Sequence, residues 1–311
     1  MSSETTSVDV AIIGAGPAGM TAGIYASRAG MKALVFEGLV VGGQTGVIKT
    51  IDNYPGFAEG IGGFELAWAM KQQAERFGTQ IVSERVVSAD LQASPKIITT
   101  DAGTYAAQAV IIATGARSRK LGIPQEDELI GRGVSYCATC DGNFFKGKHA
   151  VVYGSGDAAL EDALYLANIC ARVTLVSRKA AFDAAAIHVD AVEAASNIET
   201  LMGHAVTALH EENGMLAALT LRDVKTRETQ RIDADALFVA IGNVPNSEVF
   251  AGQLELSGEY VVAGEDCETS IAGVYAAGDV RTKKLRQVVT AVADGAVAAE
   301  AAAAYVSAGH A

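Results

Sequence analysis

Apolar and polar positions fall into blocks along this chain, and one order of blocks occurs twice. In VDVAIIGAGPAGMTAGIYASRAGMKALVFE, an apolar run from Val8 to Ile13 predicts a buried strand. Gly14, Gly16 and Gly19 follow, with Pro17 and Ala18 between the last two. A helix-compatible segment then reaches about Ala29, and a second strand is predicted from Lys32 to Phe36, closed by Glu37. The spacing has a mechanical basis: Gly14 permits a tight turn, Gly16 lets a pyrophosphate approach the backbone, and Gly19 allows helix and strand to pack closely. The helix N-terminus offers unpaired N–H groups to phosphates, and Glu37 can accept a hydrogen bond from a ribose hydroxyl.

The second block is HAVVYGSGDAALEDALYLANICARVTLVSRK, with Gly154, Gly156 and Ala159 at the corresponding positions and Asp157 and Ala158 inside the turn. Where Glu37 stands in the first block, the second has Ser177, followed by Arg178 and Lys179. Two cations without a carboxylate suit the 2′-phosphate of NADP better than the free hydroxyl of NAD. A solvated strand end would look the same, and Asp183 lies close enough to oppose the cations. Two dinucleotide motifs in one chain suggest a flavin exchanging electrons with a nicotinamide.

Composition narrows the class. A chain of 311 residues, 50% hydrophobic, exceeds the usual single-domain length, so two domains are expected. With 33 glycines and 5 prolines it suits an α/β protein rich in strand-to-helix turns. A formal net charge of -12 argues against a nucleic-acid or anionic-membrane partner. The N-terminus carries no export signal and no apolar stretch approaches the ~20 residues of a membrane helix, so the expectation is a soluble cytoplasmic protein.

Among four cysteines, Cys170 and Cys267 stand alone and read as small buried hydrophobes. Cys137 and Cys140 stand three apart in SYCATCDGNFF. Zinc ordinarily needs four ligands, and the histidines are scattered at 149, 188, 204, 210 and 310, so no metal is expected. A structural disulfide is disfavoured in a reducing cytoplasm, whereas C-x-x-C at a helix start commonly makes a reversible redox pair.

Taken in order, GAGPAG, VGGQTG with NYPG, IIATGA, CATCDG, GSGDAA, IGNVPN and GVYAAGDV followed by RQVVTAVADGAVAA span essentially the whole chain. The sequence resembles the low-molecular-weight thioredoxin reductases of the pyridine nucleotide-disulfide oxidoreductase superfamily. The resemblance implies an α/β fold of two Rossmann-like, three-layer ββα dinucleotide-binding domains. Residues 1–116 and 246–311 would bind FAD, and residues 117–245, inserted between them, would bind NADPH and carry the redox pair. It further implies that Gly42, Gly43, Gln44 and Asn53 line the flavin, with Thr114 and Gly115 of IIATGA nearby. Gly278 and Asp279 would meet the ribityl and phosphate region, and Arg286, Gln287 and Val288 would approach the ring at a helix start. Cys140 would be the flavin-proximal sulfur, Cys137 the attacker of thioredoxin, and Asp141 the proton donor and acceptor. A homodimer is implied too, with the alanine-rich helix AVADGAVAAEAAAAY near its contact.

Cysteines and nicotinamide must take turns at one flavin, so the resemblance also implies a domain rotation hinged near Ala116–Arg119 and Asn243–Asn246. The chain departs from the family at one place. NADPH-using members read H-R-R-x-x-x-R, and this chain reads Ser177, Arg178, Lys179, Ala180, Ala181, Phe182, Asp183. NADPH is the expected donor, and NADH, ferredoxin, or oxygen with a small dithiol are the alternatives. A non-catalytic flavin scaffold is a third reading, which the intact CATCDG opposes.

Overall fold

The computed structural model describes residues 5–38, 41–48 and 50–309; His310, counted above, lies outside them. The chain divides into two compact units, Met1–Arg117 with Val244–Ala311, and Ser118–Asn243.

In the first unit the strand Thr6–Ile13 occupies the middle of a sheet, parallel to Ala33–Phe36 on one side and Thr104–Ile112 on the other. Gln80–Val82 and Val274–Ala276 extend the parallel set at its two ends. The early residues of Thr104–Ile112 also pair antiparallel with Lys96–Thr100, which pairs with Val86–Asp90. The apolar run is continuous because both faces of the strand are covered. Val10 and Ile12 point into a core shared with helices Pro17–Arg28, Gly63–Arg76 and Val288–Ser307. Ala11 and Ile13 point the other way, to a core containing Leu91, Ile98 and Tyr105 of the antiparallel layer. The order is helices, parallel sheet, antiparallel meander.

The second unit repeats this plan. Its parallel sheet runs Ile198–Met202, Arg172–Ser177, His149–Tyr153, Ala236–Val239, Val134–Ser135. Val152 faces a core with Leu160, Ala163 and Leu166 of the helix Asp157–Ala167. Val151 and Tyr153 face a core with Val206, Leu219 and Leu221 of the antiparallel strands His204–Glu212 and Met215–Asp223. The fold is therefore α/β, with the two-unit Rossmann-type, three-layer arrangement implied by the sequence.

One expectation needs correction. Val288–Ser307 is a 20-residue helix, long and apolar enough by length and composition to cross a membrane. Asp294 and Glu300 break its apolar run in the sequence, but the alanines between them keep the whole helix apolar. Its inward face, Ala291, Gly295, Ala298, Ala299 and Ala302, is buried within the unit. Ala18, Ala22 and Ala26 line the buried side of Pro17–Arg28 at the same four-residue spacing. A Cβ on Gly295 would stand 2.2 Å from the Ala18 carbonyl oxygen, so the two helices meet at backbone distance. The alanine content serves this close crossing. Gly295→Ala should therefore destabilise the protein by about 1–3 kcal/mol, measured by urea denaturation, while Ala304→Ser on the exposed face of the same helix should cost little.

Candidate active site

In the first unit, the loops that leave the C-terminal ends of the parallel strands bring the sequence-predicted residues to one edge of the sheet, where α/β folds bind ligands. Gly14 turns at φ 111, and a Cβ there would lie 2.3 Å from the Ala113 carbonyl oxygen. A Cβ on Gly19 would lie 1.8 Å from the Gly14 oxygen, so no other residue fits this helix–strand contact. Gly16, by contrast, has only the Gly42 oxygen near, at 3.8 Å from its Cβ position. Gly16 precedes the helix Pro17–Arg28, which has Pro17 in its first turn, no side-chain cap and no acid there. Ala18 is buried, and Gly43 packs beside Gly16. The helix N-terminus thus faces an open approach with its dipole uncompensated by protein.

Polar atoms around this edge are left unpaired. Glu37 is 3% exposed; Lys71 donates to its Oε2 at 2.6 Å, while Oε1 has no hydrogen-bond partner among the described residues. Asp279 Oδ1 and Arg286 Nε are likewise buried without partners among the described residues. Burial pushes the Asp279 carboxyl above its ordinary range, against the pull of Lys283 and Arg286. Each such atom costs roughly 1–3 kcal/mol while it stays unpaired. All three belong to residues expected from the sequence at the flavin, and a dinucleotide with ribose hydroxyls, phosphates and a polar ring fits that donor and acceptor set.

The remaining expected residues are tied to each other. Asn53 Nδ2 donates to Gln287 Oε1 at 2.9 Å across 234 residues of chain, and Gln287 caps the helix that begins at Val288 through a capping box with Thr290. Gln44 Nε2 donates to the Ala116 carbonyl at 2.6 Å. Thr114 Oγ1 donates to the Asn246 carbonyl at 2.6 Å, and the Asn246 N–H donates to the Gly115 carbonyl at 2.9 Å. Gly278 belongs to the turn Gly278–Val280, and its N–H donates to Asp294 Oδ2 at 2.9 Å.

Asp294 was not predicted. It is 6% exposed and receives Arg281 Nε and Nη2, both at 2.8 Å, and Lys283 Nζ at 2.7 Å. Burial alone would raise its carboxyl, yet the hydrogen bonds from Arg281, Lys283 and Gly278 hold it below the ordinary range. It fixes the turn that carries Asp279. An acid inside an alanine-rich helix is the signal that could have marked it. Lys71, which orients Glu37 from 34 residues away, left no such signal.

In the second unit, Gly154 repeats the close approach of Gly14, with a Cβ position 2.3 Å from the Ala240 carbonyl oxygen, and Ala159 is fully buried. Gly156 precedes the helix Asp157–Ala167, in which Ala158 is exposed. Asp157 accepts the Ala185 N–H and His188 Nδ1, each at 2.8 Å. Those bonds, the Ala185 N–H first, hold its carboxyl below the ordinary range. Arg178 is exposed and has no ion pair among the described residues. Lys179 Nζ pairs with Asp183 Oδ2 at 2.7 Å, so Asp183 consumes one of the two expected cations. The Asp183 N–H donates to the Ser155 carbonyl at 2.7 Å, which folds this segment onto the glycine turn.

The same unit holds the redox candidates. Cys137 and Cys140 are bonded to each other. Cys137 is the N-cap of the one-turn helix Ala138–Asp141. Asp141 Oδ2 accepts the Ser135 hydroxyl at 2.6 Å, and Ser135 Oγ accepts the Cys137 N–H at 3.1 Å. Tyr136, between them, donates to Glu126 Oε1 at 2.7 Å, and Glu126 is buried while also accepting the Leu121 and Gly122 N–H groups. Both residues before Cys137 are thus anchored. Cys170 and Cys267 are buried and free, as expected; the Cys170 thiol donates to the Phe145 carbonyl, and burial pushes the Cys267 thiol up to about 11.

Residues 8–295 match the family model for pyridine nucleotide-disulphide oxidoreductases. Thioredoxin reductase of Treponema pallidum (strain Nichols) is 45% identical over 301 residues, covering 97% of this chain and 98% of that protein. Thioredoxin reductase of Streptomyces clavuligerus is 45% identical over 304 residues, covering 96% and 94%. Among solved structures, thioredoxin reductase from Streptococcus pyogenes MGAS5005 is similar at a TM-score of 0.91 and 35% identity, over 98% of this chain and all of that one.

Removing the Asp294 charge should leave Arg281 and Lys283 buried without a counter-ion. Asp294→Asn is expected to cost on the order of 3 kcal/mol in urea denaturation at pH 7. Because the folded-state carboxyl is depressed, the native advantage is fully present above the unfolded carboxyl range near pH ~4 and shrinks as pH falls below it.

Proposed function

Because the chain belongs to the pyridine nucleotide-disulphide oxidoreductase family, we propose that it is a thioredoxin-disulfide reductase, passing two electrons from NADPH through FAD and the Cys137–Cys140 disulfide to thioredoxin. The observation that carries this reading is the bonded cysteine pair, set at a helix start on the unit that also bears the second glycine turn. Bound FAD would supply a two-electron carrier competent both to accept hydride and to reduce a disulfide.

In this reading the first unit is the FAD-binding domain. The backbone of Gly14, Gly16, Pro17, Ala18 and Gly19 presents the uncapped helix end to the pyrophosphate. Glu37 Oε1 accepts from a ribose hydroxyl, its other oxygen being held by Lys71. Asp279 and Arg286 use their unpaired atoms on the ribityl and ring region, with Asn53 and Gln287 braced against each other beside them. In the second unit the turn Gly154–Gly156 and the first residues of its helix hold the nicotinamide dinucleotide, and Arg178 meets the 2′-phosphate.

Cys140 receives the electrons, and Cys137 attacks the thioredoxin disulfide, forming a mixed disulfide that Cys140 resolves. Asp141 takes and returns the thiol proton. A reducing cytoplasm is where such a pair cycles, and a homodimer belongs to the same reading through the family resemblance.

NADPH oxidation in the presence of thioredoxin tests this directly. The native protein should turn over, and Cys140→Ser should not. A native protein inert with NADPH and thioredoxin, or a serine variant with undiminished turnover, would overturn the reading. Freeing Lys179 provides a separate check on the donor: Asp183→Asn should lower the KM for NADPH about two- to fivefold, the worth of an exposed ion pair, and leave that for NADH unchanged.

A further inference from the structure

The hydroxyl of Ser135 sits between the redox cysteines and the acid that serves them. Ser135 is 4% exposed, at the end of the strand Val134–Ser135, where it pairs with Phe238 of the neighbouring strand. Water is kept from it. A serine hydroxyl has one proton and two acceptor positions. Two acceptors compete for the proton: Asp141 Oδ2 at 2.6 Å and the Cys137 carbonyl at 3.4 Å. The shorter bond, to a carboxylate, wins on distance and on charge. The oxygen then accepts the Cys137 N–H at 3.1 Å. The result is a three-member chain from the Cys137 backbone through Ser135 to Asp141.

We propose that Ser135 is a positioning residue of the redox centre, its hydroxyl fixing the Asp141 carboxylate in place relative to the Cys137 backbone. The inference rests on the reading of Cys137 and Cys140 as the redox pair. Ser135 itself touches neither sulfur and acts through Asp141.

Gly142, next to Asp141, packs on Tyr165 and Leu166 of the helix Asp157–Ala167; a Cβ there would lie 3.2 Å and 3.0 Å from their side chains. Asp162 lies one turn before Leu166 on that helix, with Glu161 beside it. That stretch of the helix carries the titratable residues Glu161, Asp162 and Tyr165; the strand Val134–Ser135 and the turn Gly142–Phe145 carry none. Burial, and then Glu161, push the Asp162 carboxyl up to about 7. A donated hydroxyl proton favours the ionised form of a carboxylate, so loss of the Ser135 hydroxyl shifts Asp141 toward its protonated form.

The test uses the holoenzyme, reduced with dithiothreitol, freed of excess reductant and mixed anaerobically with dipyridyl disulfide. Each dithiol then forms the Cys137–Cys140 disulfide and releases two thiopyridones, which take up both thiol protons. The rate is followed against pH, and thioredoxin is not involved, so failure to reduce thioredoxin would sink the functional reading without deciding this one. In Ser135→Ala the acid-side fall of the rate should move to higher pH by about one unit, the worth of one charge-assisted hydrogen bond. Ser135→Thr, which keeps the hydroxyl, should retain the native position and serves as the deciding variant if alanine fails to fold. Asp162→Asn should leave the shift intact, separating it from the acid that titrates nearby. In the Asp141→Asn background, Ser135→Ala should shift nothing. An unmoved acid limb in Ser135→Ala, a moved one in Ser135→Thr, or an equal shift without Asp141 would overturn the proposal.

Discussion

Unpaired polar atoms at the C-terminal edge of a parallel sheet govern this molecule. A folded protein pairs nearly all its buried donors and acceptors. Among the described residues Glu37 Oε1, Asp279 Oδ1 and Arg286 Nε are buried without partners, and all lie in loops following strands of the first unit or at the start of its last helix. Together with an uncapped helix N-terminus they form a set of groups whose cost a dinucleotide can offset. The rest of the unit is arranged to hold them there. Lys71 orients Glu37, Asp294 fixes the turn bearing Asp279, and the alanine-lined crossing of the first and last helices fixes the loop at Gly278.

The redox pair is built on different terms. Its helix is a single turn and contributes little alignment of its own. Position comes instead from the two residues before Cys137, one tied to Asp141 and the other to the buried Glu126. Side-chain hydrogen bonds to neighbouring elements do for this turn what length does for a longer helix.

Much of this was legible in the sequence, for a physical reason. Close backbone approach admits only glycine or alanine, so Gly14, Gly19, Gly154 and Ala159 could be read from spacing, and the fold class followed from two such turns. The redox pair was equally legible, because two cysteines three apart have few other uses. Residues that act at a distance were not. Lys71, Asp294 and Ser135 work through partners brought near by tertiary packing, and no local pattern marks a lysine that meets a glutamate 34 residues away. The last helix misled in the opposite sense: its alanines signal a tight helix crossing, and the same alanines give it the composition of a membrane span.

The most direct test is to strip the purified protein of any bound flavin and follow its thermal midpoint as FAD is added back. If the unpaired atoms of the first unit are cofactor ligands, the chain should take up one FAD and its midpoint should climb with ligand concentration, since a ligand that binds only the folded state stabilises it. A midpoint that stays fixed, with no flavin retained after dialysis, would contradict the account.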